Sequence, residues 1–191
     1  STIPNEGKST IAALLAMTIA GGQKRVLLID MDFRNPTVGK LMKMHNPVDL
    51  IDYVYNQKPL EEVAVKSASG VYFIDNVHIM ANDANNLINT AGFQRFLAEA
   101  KARFDLIIFD APPLGVLVDA AVLATQADHT LFVIGSGLPD KAEVKLAAEQ
   151  LRLANANVLG VVLNFVKDSK RHRDYYYRHK DQQHRGRKPP R

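Results

Sequence analysis

At 191 residues the chain is long enough for one domain with a well-buried core, and at 47% hydrophobic and 23% charged it has the make-up of a soluble globular protein. It contains no cysteine, which excludes disulfides and thiolate metal sites, and its longest apolar runs, VLLI and LIIF, are too short to cross a bilayer. The formal charge of +4 is lopsided: residues 167–191 carry ten Lys/Arg against three Asp, a net of +7, whereas residues 1–166 carry a net of −3.

In chain order, the opening STIPNEGKST places Gly7-Lys8-Ser9-Thr10 where a phosphate-binding loop hands over to a helix. Apolar spacing over 9–22 predicts that helix, with Gly21-Gly22 as its C-cap. RVLLID (25–30) is a continuous apolar run of the kind found in strands buried on both faces, and GVYFID (70–75) is a second candidate strand. FQRFLAEAKARF (93–104) predicts a helix, and DLIIFD (105–110) another buried strand, stopped by Pro112-Pro113. VDAAVLATQA (118–127) reads as helix and HTLFVIG (129–135) as strand. KAEVKLAAEQLRLAN (141–155) predicts an amphipathic helix, and VLGVVLNF (158–165) the last strand.

Apolar strands alternating with helices predict right-handed βαβ units. The expected fold is α/β, a mostly parallel sheet with helices on both faces and ligands at the carboxyl ends of the strands. The chain begins inside the loop motif, so the strand leading into it, and any targeting or membrane-crossing segment, is expected upstream of residue 1. Residues 167–191 have almost no aliphatic side chain and cannot offset the entropy of their own ordering. A globular body over 1–166 and a flexible basic tail over 167–191 are expected.

Chemistry collects at the predicted strand ends. One strand ends in Asp30, followed by Asp32 and Arg34; another ends in Asp110. Together with Lys8 and Ser9, they put a lysine, a hydroxyl and three carboxylates at one edge of the sheet. An aspartate ending a strand is as often a cap or turn residue, and a bare Gly-Lys-Ser recurs by chance. Asp-x-Asp-x-Arg and Asp-x-Pro-Pro, each after a buried strand and both downstream of Gly-Lys-Ser-Thr, point to a nucleotide site. ATP travels with Mg²⁺, which takes hard oxygen ligands and keeps several waters. A hydroxyl and one or two carboxylates serve that ion, while a lysine and a helix N-terminus neutralise phosphate.

Half of the six tyrosines, Tyr175, Tyr176 and Tyr177, sit in the tail, where no core exists to bury them. The bland reading is a sticky or partner-docking tail; beside a nucleotide site the cluster reads as a phosphoacceptor. Arg171, Arg173, Arg178 and Lys180 flank it. They could steer it toward a carboxylate-lined site, or toward anionic lipid or nucleic acid.

These motifs resemble those of the bacterial tyrosine kinases (BY-kinases). PNEGKST is similar to their Walker A, LLIDMDFRNPT to their Walker A′, LIIFDAPP to their Walker B, and GVVLNFV to the strand beside their base pocket. The resemblance covers residues 1 to about 166. It implies the P-loop fold shared with Min- and Par-type partition ATPases. It further implies an ATP- and Mg²⁺-dependent protein-tyrosine autokinase acting in capsule or exopolysaccharide synthesis and export. In that picture a ring-shaped homo-oligomer phosphorylates its tyrosine cluster, here Tyr175 to Tyr177, in trans. A membrane-spanning activator segment or partner, a counteracting tyrosine phosphatase and a place at the cytoplasmic face of the bacterial inner membrane are also implied, with no nucleic-acid partner.

Carried over by the same resemblance, Asn5, Glu6, Gly7, Lys8, Ser9 and Thr10 form the nucleotide loop. Lys8 would hold the β- and γ-phosphates and Thr10 the α-phosphate. Ser9, Asp32 and Asp110 would serve Mg²⁺, and Asp30 is favoured as the base. Arg34 would stabilise its loop or contact a neighbouring subunit, and Asn164 would touch the adenine edge. Thr2 stands where many P-loops have glycine, though the family often has a small residue there, and Asn5 where the family usually has glycine, although Asn tolerates left-handed backbone angles. Residues 134–144 lack an expected basic residue, and 81–89 is a weak version of a Pro-rich segment. Two other functions stay open. A partition-type ATPase switch usually carries an extra lysine where this chain has TIPNE. A non-catalytic nucleotide-binding scaffold is opposed by Lys8 and the three aspartates.

Overall fold

The computed structural model describes residues 1–76, 87–115 and 119–167. Helix α1 (Lys8–Gly21) turns Ala12, Ala13 and Ala16 inward, small residues that let it lie close on the sheet. Gly22 ends it: its N–H donates to the Ile19 carbonyl and that of Gln23 to the Ala20 carbonyl (3.0 Å each). Strand β1 (Val26–Asp30) is buried along its whole length, as its continuous apolar run requires. Helices α2 (Val38–Met42), α3 (Leu50–Val54) and α4 (Leu60–Val63) and strand β2 (Val65–Lys66) follow before β3 (Tyr72–Ile74). The rest is α5 (Ala91–Arg103), β4 (Leu106–Asp110), α6 (Asp119–Gln126), β5 (Thr130–Gly135), α7 (Lys141–Leu153) and β6 (Val158–Asn164).

The strands form two pieces. In the first, β1 lies parallel to both β3 and β4, and β2 adds antiparallel outside β3, giving the order β2-β3-β1-β4. The second is the parallel pair β5-β6. The expectation of a mostly parallel sheet with helices on both faces holds, with the sheet in two parts. Alternation along β1 sends Val26 and Leu28 against α1 and Leu27 and Ile29 to the other face. There Phe93, Phe96, Leu97 and Ala100 of α5 fill the larger core with residues of α3 and α4. A third cluster joins Phe132 of β5 to Ala120 and Ala124 of α6 and Ala147 and Leu151 of α7.

Every element expected from apolar spacing is present within a few residues of its predicted bounds, but β4, expected to be buried like β1, is only half-buried up to Asp110, and β6, equally apolar, is largely exposed. Helices α2, α3 and α4 and strand β2 were not anticipated; each has five residues or fewer, too short for a period to emerge. The start of α3 is nonetheless written locally, by a capping box between Asp49 and Asp52. Residues 81–86 of the weak Pro-rich segment, residue 118, and the tail with Tyr175 to Tyr177 lie outside the described residues.

What matters for function is how the strand ends are fixed. Asp30 and Asp110 are register partners at the carboxyl ends of β1 and β4. Asn76, fully buried just past β3, donates its amide to the Asp30 carbonyl (2.7 Å) and accepts the Leu50 N–H (3.1 Å). It ties the end of β1 to the start of α3. Asn76→Ala would leave both backbone groups buried and unpaired. It is expected to destabilise the fold by about 2–4 kcal/mol, read as a lower urea midpoint at unchanged slope.

Candidate nucleotide site

Residues 1–7 fold around a carboxylate. Glu6 is fully buried; one oxygen accepts the N–H groups of Thr2 (2.6 Å) and Ile3 (2.8 Å), the other that of Gly135 (3.0 Å) at the end of β5. The Asn164 amide, at the end of β6, donates to the Glu6 carbonyl (3.0 Å). The N–H groups of Leu114 and Gly115 donate to the carbonyls of Ser1 (2.9 Å) and Thr2 (3.0 Å). The loop is thus pinned to β5, β6 and the segment after β4.

Two loop residues are left-handed, Asn5 (φ 65°) and Gly7 (φ 90°). Asn5 therefore takes the angle that Asn tolerates, and the loop forms without a glycine there. Position 7 admits no side chain: a Cβ would stand 2.2 Å from the Asn164 Nδ2. Gly7 is the N-cap of α1, no side chain caps the helix, and the first intrahelical bond runs from the Ile11 N–H to the Gly7 carbonyl (2.9 Å). The N–H groups of Lys8, Ser9 and Thr10 are left without intrahelical partners. These three residues line an open cavity of about 410 Å³.

The three aspartates have different surroundings. Asp30 is fully buried, and its oxygens accept the N–H groups of Thr37 (2.8 Å), Val38 (3.0 Å) and Asp32 (3.1 Å). Burial pushes its pKa up to about 7, opposed by those bonds and assisted by the negative charge of Asp110. Asp110 is also buried, and its Oδ2 has no hydrogen-bond partner. Burial pushes it up to about 6, opposed by the nearby Ser9 hydroxyl and the charge of Lys8. Asp32 is half-buried, faces the cavity and accepts the Asn35 N–H (3.2 Å). The Thr37 hydroxyl donates to that of Ser9 (2.8 Å), linking the loop after β1 to α1.

Of the residues singled out in the sequence, Asn5, Gly7, Lys8, Ser9, Thr10, Asp32 and Arg34 line this one cavity. Asp110 lies behind it, against Ser9. Three others are placed differently. The Glu6 carboxylate is turned into the body of the protein, the Asp30 carboxylate is taken up by backbone donors, and the Asn164 amide is spent on the loop. Sequence reasoning missed Thr37, Asn76 and Phe165. Only Phe165 carried a signal, as an aromatic directly after Asn164 at a strand end.

A family profile described as "AAA domain" matches residues 5–137. The chain is 36% identical over 183 residues to the tyrosine-protein kinase YwqD of Bacillus subtilis (strain 168), covering 95% of this chain and 76% of that protein. It superposes on the kinase domain of the Escherichia coli tyrosine kinase ETK with a TM-score of 0.81 and 28% identity, over 89% of this chain and 67% of that one. Cobyrinic acid a,c-diamide synthase from Mycobacterium smegmatis, solved with ADP and magnesium, superposes with a TM-score of 0.73 over 95% of this chain and 79% of that one. At 19% identity that likeness concerns the fold alone. The fold is that of the P-loop NTPases.

Raised carboxylates bind protons more tightly in the folded chain than in the unfolded one. Their favourable contribution is full below the ordinary value of 3.8 and is lost as pH rises through about 6 for Asp110 and about 7 for Asp30. With chelator present and no nucleotide, Asp110→Asn is therefore expected to stabilise at pH 8, by on the order of 2 kcal/mol. The advantage should vanish near pH 4. Urea melts across that range check it, and an offset independent of pH would show that burial of charge is not the cause.

Proposed function

This chain belongs to the bacterial tyrosine-protein kinases, and on that premise we propose that the cavity at the head of α1 binds ATP with Mg²⁺ and passes the γ-phosphoryl group to a tyrosine hydroxyl. One observation carries the reading. A left-handed Gly7 that admits no side chain sets the unpaired N–H groups of Lys8, Ser9 and Thr10, with the Lys8 ammonium, at the wall of a cavity shared with Asp32. A helix N-terminus and a lysine favour phosphate oxygens.

The residues present fit a divalent cation. Asp110 Oδ2 is a buried hard oxygen with no partner, and the Ser9 hydroxyl lies beside the same carboxylate. Among the described residues no three Asp, Glu or His side chains gather closely enough to hold a metal alone. Mg²⁺ asks for few protein oxygens and takes the rest from water and phosphate. Ser9 and Asp110 would hold it, and when bound it would supply positive charge against that of the phosphate oxygens.

The base is assigned to Asp32 in place of Asp30. Asp32 faces the cavity, whereas the Asp30 carboxylate is fully buried and engaged by three N–H donors. As the phenol oxygen bonds to the γ-phosphorus, the bond to the bridging oxygen of ADP breaks and the phenol proton passes to Asp32. A phenol of pKa about 10 needs that help only late in the transfer. Asp30 instead holds the loop 31–38 in shape. Arg34 adds positive charge to the cavity wall, where it meets phosphate or a neighbouring subunit.

The acceptors are Tyr175, Tyr176 and Tyr177 of another copy in a homo-oligomeric ring. A coil of about ten residues reaches only roughly 15 to 20 Å, and in-line attack is hard to reach on so short a tether. The activity would regulate capsule or exopolysaccharide synthesis at the cytoplasmic face of the bacterial inner membrane. A membrane-spanning activator and an opposing phosphatase would accompany it, with no role for nucleic acid. No helix among the described residues is long and apolar enough to cross a membrane.

Two experiments test these assignments. Lys8→Met should abolish phosphorylation of its own tail yet become phosphorylated at Tyr175 to Tyr177 when mixed with active chain, as read by mass spectrometry. Label confined to active chains, at a rate independent of protein concentration, would sink transfer between molecules. Asp32→Asn should lower the rate of transfer by about a hundredfold or more while ATP affinity changes little. An unimpaired rate would place the base elsewhere.

A further inference from the structure

We infer that Thr37 orients the Ser9 hydroxyl for a divalent cation; the inference rests on the nucleotide reading of the cavity and adds a positioning residue to it. Thr37 stands at the N-cap of α2, yet its side chain makes no capping bond. A threonine at that position ordinarily accepts an N–H of the helix's first turn with its hydroxyl oxygen. Here the Asp30 carboxylate, at the end of β1, accepts the N–H groups of Thr37 (2.8 Å) and Val38 (3.0 Å). Capping of α2 has passed to a neighbouring strand. The Thr37 hydroxyl reaches across to α1 instead and donates to the Ser9 hydroxyl at 2.8 Å, 28 residues away in the chain. Asp30, by holding the backbone of Thr37, also holds the donor to Ser9.

A hydroxyl has one proton and two acceptor positions, and it rotates to suit its neighbours. An unrestrained Ser9 could turn its proton toward a cation and repel it. The bond from Thr37 fills one acceptor position of Ser9. The Asp110 carboxylate, which can only accept when ionised, lies beside the same hydroxyl and offers its proton a place away from the cation. One lone pair is left for the cavity that Ser9 and Thr37 both line. That is a single hard-oxygen position, and Mg²⁺ takes few such positions from a protein. Thr37 acts through Ser9 and needs no contact of its own with phosphate or with the reacting atoms. A Thr37 that merely braced the loop would matter as much without the cation as with it.

The test uses the whole chain and one probe, ADP, titrated in chelator and again across a range of Mg²⁺ concentrations. Wild type is compared with Thr37→Val, Thr37→Ser, Ser9→Ala and the double variant that combines Ser9→Ala with Thr37→Val. The readout is the gain in ADP affinity that Mg²⁺ confers. Thr37→Val keeps the branched shape and loses the hydroxyl; it is expected to cut that gain by about tenfold or abolish it, with ADP affinity in chelator within about twofold of wild type. Thr37→Ser, which keeps the donor, should retain the gain. On top of Ser9→Ala, Thr37→Val should reduce it no further, because the hydroxyl it orients is gone. An undiminished gain in Thr37→Val overturns the inference and leaves the nucleotide site standing. So does a loss of equal size in chelator, a loss shared by Thr37→Ser, or an effect that persists in full without the Ser9 hydroxyl. A wild-type chain whose ADP affinity ignores Mg²⁺ removes the cation from Ser9 and the positioning role with it. One that binds no ADP removes the nucleotide reading as well.

Discussion

A buried carboxylate holds the site together. Taking a polar side chain wholly out of water is costly unless hydrogen bonds replace its hydration. Glu6 meets that condition with three backbone donors from two places, Thr2 and Ile3 in its own loop and Gly135 at the end of β5. The result is a division of labour among N–H groups. Those early in the loop are consumed by Glu6, and those of Lys8, Ser9 and Thr10 stay free for a ligand. The same bonds set the turn at Asn5 and Gly7, so the aim of α1 depends on a side chain that faces away from the cavity.

Behind the loop the balance of charge is deliberately poor. Asp30 and Asp110 are register partners on adjacent strands, both buried, and each is pushed well above the ordinary carboxylate value. Asp30 is relieved by the N–H groups around α2; Asp110 is not, and keeps an oxygen without a partner. An uncompensated buried oxygen beside a hydroxyl and a lysine is the kind of local cost that persists at sites where a cation or a charged ligand offsets it. The stable framework of β1, β3 and α5 tolerates it.

The sequence made the framework legible because its strands read as continuous apolar runs, whether buried throughout like β1 or half-buried like β4, and its helices as periodic ones. It also grouped Lys8, Ser9, Asp32 and Asp110, since ligands of a parallel sheet gather at strand ends. It did not reveal which carboxylates face the cavity. Glu6 sits inside PNEGKST as if it were a ligand-facing member, and its true direction is decided by an N–H 129 residues away. Asp30 and Asp32 are two residues apart, and what separates them is the cluster of donors at the start of α2, a five-residue helix with no periodic signature. The turn at Phe165 is likewise a product of tertiary bonds to Asn164.

The cavity is assembled from both pieces of the sheet. One wall stands on the start of α1 and the segments after β1 and β4, and another on Phe165 after β6. Within the loop the two are joined by the bonds of Glu6 with Gly135 and Asn164. The tail departs from this same place, since Lys167 is two residues beyond Phe165. Its net +7 would draw it toward the carboxylates of a neighbouring cavity. Each phosphate gained would bring about −1.5 to −2 charges, so three would nearly cancel that attraction. If the tail is the substrate as proposed, its phosphorylation would remove the force that brings it to the site.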